Sequence, residues 1–257
     1  NYVGEEMGLN KAGGAMYRWA DWTVEPLAGR CPNDCTYCYI KSWPFCSSGK
    51  YDGPQRLWES EFKIKLSNLG INRREELPFV PADVPVVFPC SGNDLGAATT
   101  SMKIRILEWL CKAPENFYLL QSKNPAGLKE VEQYFPPNAI VGTTLETNRD
   151  DLCRAISNAP VPSERAEGMK LFNGGHYLMI SVEPKMDCDP GPFAELIREV
   201  GPAFVSVGAD SKKHNLLEPS AEKVLDLINR LEEFTVVKKK KNLGRLLKAR
   251  SMGGQTS

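Results

Sequence analysis

The sequence predicts an α/β fold built on parallel strands, and three observations carry that prediction. Short apolar runs recur at residues 22–27, 84–88, 117–121, 140–144, 178–182, 204–208 and 234–237. Continuous rather than alternating apolarity marks strands buried on both faces. Helical patterns fall between these runs, and polar residues gather just after them. Strand–helix alternation implies a parallel sheet, open or curled into a barrel, and the carboxyl ends of such strands are where ligands bind.

The helical stretches follow in order. Trp58, Phe62, Leu66 and Leu69 repeat on one face. Asn124 before Pro125, and Asn148 before Arg149, are helix-start signals. Phe193, Leu196, Ile197 and Val200 form an apolar stripe with Pro192 near its start, and Val224, Ile228 and Leu231 follow Ser220, a suitable N-cap. Cys111 and Cys153 fall in helical stretches and are expected to be buried free thiols.

The 257 residues suit one large domain. We expect an N-terminal extension over 1–21, a barrel over 22–242 and a tail over 243–257. Lys plus Arg and Asp plus Glu each number 32, so net charge gives no general pull toward nucleic acid or a membrane. No run approaches the ~20 apolar residues of a membrane span, and no secretory signal pattern opens the chain. Eight cysteines in a chain of this size read as reduced, and a cytoplasmic location is expected.

The most informative segment is GRCPNDCTYCYI, which places Cys31, Cys35 and Cys38 in a C-x3-C-x2-C loop after the first strand. Gly29 gives the backbone freedom just before it. Three thiolates can hold three corners of a cubane cluster, which ordinarily takes four. A structural zinc site is the rival, with Cys46 as fourth ligand, although no second cysteine knuckle is present. The two histidines, His176 and His214, are not spaced as partners, and no Ser-His-Asp or Cys-His set suggests hydrolysis.

The loop, with Tyr37 before its third cysteine, resembles the signature of the radical S-adenosylmethionine (SAM) superfamily. Cys35-Thr36-Tyr37-Cys38-Tyr39, Lys123-Asn124-Pro125 and Ser181-Val182-Glu183-Pro184 are similar to motifs of phage-encoded members. The cysteine run also resembles that of spore photoproduct lyase. The resemblance implies a partial (β/α)6 TIM-type barrel, with room for a seventh strand. It implies a [4Fe–4S] cluster on Cys31, Cys35 and Cys38, with SAM on the open iron. Reductive SAM cleavage would give a 5′-deoxyadenosyl radical that takes hydrogen from a substrate. An electron donor such as a flavodoxin or ferredoxin would be required.

By the same resemblance, Tyr37 and Tyr39 lie near adenine, and Ser91 and Asp94 near the SAM amino group. Thr144 and Glu146 lie near the ribose, and Arg149 near the carboxylate. Cys90, at the end of the second strand, is a candidate hydrogen donor to a substrate radical, or else simply a small core residue. Lys123, Glu183, Lys185, Asp210 and Lys238 are candidates to face the substrate. Lys238 to Lys241 can meet phosphates, or form a solvated edge, so nucleic acid is one possible substrate class. The alternative is a non-catalytic iron–sulfur or zinc-binding module.

Overall fold

The computed structural model describes residues 8–14, 16–42 and 49–248, so Cys46 lies outside the described residues. Among these residues the main sheet has eight strands: β1 (Asn10–Lys11), β2 (Trp22–Val24), β5 (Val86–Pro89), β6 (Phe117–Gln121), β7 (Ala139–Thr144), β8 (Tyr177–Val182), β9 (Phe204–Val207) and β10 (Val236–Lys239), hydrogen-bonded in that order. A separate ribbon pairs β3 (Leu27–Ala28) with β4 (Arg56–Leu57). From β2 to β10 every pairing in the main sheet is parallel; only β1 runs antiparallel, at the edge. Seven parallel strands in sequence order, with no pairing between the sheet's ends among the described residues, make an open barrel. The expected seventh strand is β10.

Among the described residues seven α-helices accompany the strands: α1 (Thr100–Leu110), α2 (Pro125–Lys129), α3 (Asp150–Arg154), α4 (Pro162–Lys170), α5 (Pro190–Val200), α6 (Ala221–Glu232) and α7 (Gly244–Lys248). Asn124 and Ser220 cap α2 and α6 as expected, accepting from Gly127 N and Lys223 N. The helix expected over Trp58 to Leu69 does not form; only Glu61–Lys63 makes a 3-10 turn. Tertiary bonds hold this stretch instead. Trp58 N donates to Pro26 O, and Asn116 Nδ2 donates to Leu66 O, while Phe62 and Leu69 still pack on the core. Cys111, expected to be buried, is exposed at the end of α1; Cys153 is buried in α3.

Alternation along the strands divides the interior in two. Val87, Tyr118, Leu120, Val141, Ile180 and Val205 face the helices, in one core. Val86, Phe88, Phe117, Leu119, Ile140, Met179 and Phe204, of opposite parity, form a second core inside the barrel. Tyr17 and Trp19, stacked at 4.8 Å, fill this second core. The Tyr17 ring lies 6.0 Å from Phe88 on β5, its hydroxyl donates to Gln121 Oε1 on β6 at 2.9 Å, and Lys240 after β10 sits 4.8 Å over it. A flat sheet would part β5 and β10 by ~24 Å at ~4.8 Å per strand; the curl brings both to one side chain. The segment expected to be an extension thus contributes to the barrel's interior.

Further along each strand, the inward parity passes to polar residues: Thr23 and Glu25, Gln121, Thr144, Ser181 and Glu183, Ser206 and Lys240. The lumen therefore changes from apolar at the amino ends to polar at the carboxyl rim.

Candidate cluster and cofactor site

The cysteine loop leaves β3 at this rim. Gly29 has φ +85°, and a Cβ there would lie 2.1 Å from Pro54 O, so only glycine makes this turn. The loop is stitched to the segment between α3 and α4: Thr36 N donates to Ile156 O and Asn158 N to Asn33 O, each at 2.8 Å. From the other side, buried Asn33 donates through Nδ2 to Asp94 Oδ2 at 2.6 Å. Asp94 also accepts from Ser122 Oγ and from Lys123 N. The ends of β5 and β6 are thereby fastened to the loop.

Burial pushes the Cys31 thiol up to about 12, helped by Asp94, Cys35 and Cys38. Burial and Cys35 also raise Cys38. Thiolates crowded together in this way need a cation to hold them ionised. N–H groups already reach two of the sulfurs, from Asn33 to Cys31 and from Ile40 and Lys41 to Cys38. Among the described residues no three His, Cys, Asp or Glu side chains meet at a single metal-ion position. A cubane imposes a different requirement, because each thiolate takes its own iron. The donor set, three thiols on one loop with N–H donors to their sulfurs, fits a cluster.

Beside the loop lies a buried charge network. Glu146, just beyond β7, is fully buried. Its Oε1 accepts from the Tyr37 hydroxyl and pairs with Lys123 Nζ. Its Oε2 pairs with Arg165 Nη1 at 2.8 Å. Burial opposes the charge, but Lys123 and Arg165 outweigh it and hold the carboxyl down at about 2. Burial, then Glu146, push the Tyr37 hydroxyl well up. Lys123 keeps 15% of its side chain exposed and also lies 4.9 Å from the Tyr37 ring.

At the end of β2, Glu25 accepts from Ser91 Oγ and from Gly92 N at 2.9 Å. Burial raises its carboxyl to about 7 against the pull of these donors and Lys50. The adjacent Cys90 is buried and adopts φ +59°, unusual for a residue other than glycine. Burial, then Glu25 and Asp94, raise its thiol well above the ordinary range. The Tyr39 hydroxyl donates to Ser91 O at 3.0 Å, which places it against the same turn.

The structure thus brings Tyr37, Lys123 and Glu146 together, and Thr144 joins them through its carbonyl oxygen, which accepts from Arg165 Nη1 at 2.7 Å. Tyr39, Ser91 and Asp94 line the neighbouring loop ends, whereas Cys90 packs into the core shared with the helices. Arg149 is turned elsewhere, paired with Asp187 at 2.6 Å and Asp189 at 2.7 Å. Glu183 pairs with Lys240 and accepts from Asn242 Nδ2 at 2.9 Å. Lys185 is fully buried with its ammonium 5.0 Å from the Phe193 ring. Asp210 accepts at 2.7 Å from His214 Nδ1 when that nitrogen carries its proton, and Lys238 donates to Glu76 O at 2.7 Å. Sequence reasoning missed Arg165 and Glu25. Arg165 hides in α4, whose apolar periodicity is too weak to mark an inner face. Glu25 had a signal: an ionisable residue inside an apolar strand run.

No family profile matches the sequence, and neither does any curated protein. Solved structures do match. A cysteine-to-alanine mutant of spore photoproduct lyase is similar with a TM-score of 0.60 at 11% identity, covering 85% of this chain and 76% of that one. Spore photoproduct lyase with bound AdoMet and dinucleoside spore photoproduct gives 0.51 at 12%, over 84% and 62%. Methylornithine synthase gives 0.51 at 13%, over 84% and 63%. The chain spans less than two thirds of the last two. These are radical SAM enzymes, and the chain has their partial-barrel fold.

Proposed function

We propose that the protein is a radical SAM enzyme. The observation that carries the reading is the three-cysteine loop on the carboxyl rim of a barrel shared with radical SAM enzymes. Cys31, Cys35 and Cys38 would hold a [4Fe–4S] cluster. When bound, the cluster and SAM would supply a 5′-deoxyadenosyl radical for hydrogen abstraction.

The chain's own residues bind, orient and exclude water. Tyr37 and Tyr39 border the adenine position, Ser91 and Asp94 the amino group, and Thr144 and Glu146 the ribose. A ribose hydroxyl approaching Glu146 would come in beside Lys123, the partner with exposed surface. Arg149 would exchange Asp187 or Asp189 for the SAM carboxylate. Lys123 and Glu183 face the substrate. Cys90 is the candidate to quench a substrate radical by giving up its hydrogen atom, which would leave a thiyl radical for the reductant to restore with one electron and a proton; its raised pKa keeps the S–H bond this requires. One structural neighbour carries a dinucleoside, which keeps a nucleic-acid-derived substrate foremost. The reductant would be a flavodoxin or ferredoxin, and the setting the reducing cytoplasm.

Anaerobically reconstituted protein should bind about four irons per chain and form 5′-deoxyadenosine from SAM with dithionite. Colourless protein holding one zinc would instead establish a closed structural site.

A further inference from the structure

Cys35 differs from the other two cysteines in where its sulfur finds a donor. Cys31 is reached by the Asn33 N–H, and Cys38 by those of Ile40 and Lys41; these belong to the backbone. Cys35, 7% exposed, has the Ser157 hydroxyl 3.0 Å from its sulfur.

Ser157 is held firmly in place. Its oxygen accepts from Ala159 N at 3.1 Å, and it can donate to Asn33 O, also at 3.1 Å. A hydroxyl has one proton, so it serves either Asn33 O or Cys35 Sγ. While Cys35 is a thiol, its own S–H can point at Ser157 Oγ, and the hydroxyl proton is free for Asn33. A metal-ligating Cys35 has no proton to give. At 3.0 Å two lone-pair atoms would then face one another unless Ser157 turned its proton to the sulfur. Asn33 O can release it, because Asn158 N donates to that carbonyl at 2.8 Å.

We propose that Ser157 is a positioning residue for the cluster, whose hydroxyl switches from Asn33 O to Cys35 Sγ on loading and raises the cluster's reduction potential. The inference rests on the radical SAM reading. A donor to a ligating sulfur stabilises the more negative, reduced state. Because this donor is a side chain, a single substitution removes it.

The test is a redox titration of the reconstituted full chain followed by electron paramagnetic resonance. Ser157→Ala should shift the one-electron equilibrium about three- to tenfold toward the oxidised cluster, or ~30–60 mV at 59 mV per decade. Ser157→Thr should stay near wild type. Should the alanine variant lose its iron, the isosteric pair Ser157→Thr and Ser157→Val isolates the hydroxyl. Loading or a higher potential with threonine alone supports the proposal; equal potentials in loaded Thr and Val variants overturn it. An alanine variant that is loaded and unshifted also overturns it. Wild type that binds no cluster would overturn the radical SAM reading itself, and this inference with it.

Discussion

Arg165 and Glu146 make an ion pair at 2.8 Å in which neither side chain has more than 1% of its surface exposed. Lys123 and Tyr37 share the other carboxylate oxygen, so the pair is anchored directly to the residue before Cys38. A pair at this depth is costly to break from one side, because the remaining charge stays buried.

Replacing Arg165 by Met should therefore destabilise the protein by ~3–5 kcal/mol, measured by urea denaturation. A loss below ~1 kcal/mol would show that Lys123 alone compensates Glu146.

Acid should have a related effect. The Glu146 carboxyl is held down at about 2 from an ordinary 4.5. A depressed carboxyl contributes stability that is fully present above pH 4.5 and is lost as pH falls toward 2. Glu146→Gln should lack that part of the acid transition, as unfolding curves between these pH values would reveal.

Glu25 should behave oppositely. Its folded carboxyl is raised from 4.5 to about 7, so the folded state holds the proton more tightly. The stability it contributes is complete below pH 4.5 and is lost as pH rises through about 7. Relative to Glu25→Gln, wild type should lose stability across that interval. Parallel profiles for the two proteins would contradict the assignment.

Asp94 fastens the cysteine loop through Asn33, so Asp94→Ala should loosen the loop before it unfolds the barrel. Iron release to a chelator should quicken severalfold while circular dichroism stays near wild type. Unchanged release would mean that the Ile156 and Asn158 contacts suffice.

Cys90→Ala should leave SAM cleavage measurable but divert the substrate radical, so that 5′-deoxyadenosine forms without a matching yield of quenched product. A full yield from Cys90→Ala would move the hydrogen donor elsewhere, with Tyr39 next to be tested.

Much of this architecture could be read from the residues. Short apolar runs located the parallel strands because strands buried on both faces leave that pattern, and Asn124 and Ser220 marked true helix starts. The stretch from Trp58 to Leu69 misled because its apolar spacing fits a helix, yet bonds to Pro26 and Asn116 fix it otherwise. Local propensity yields to such tertiary contacts. The cysteine loop was legible because its spacing is local. Arg165 was not, since it meets Glu146 across 19 residues and a helix. Nor was the engagement of Arg149 with Asp187 and Asp189, about 40 residues away.

Tyr17 and Trp19 have a further consequence. They stopper the barrel from its amino-terminal end, closed over by Phe88 and Phe204. A molecule reaching the polar rim therefore meets a lumen plugged at its far end by two stacked rings. The floor beneath that rim is thus supplied by a segment that precedes the first parallel strand, not by the strands themselves.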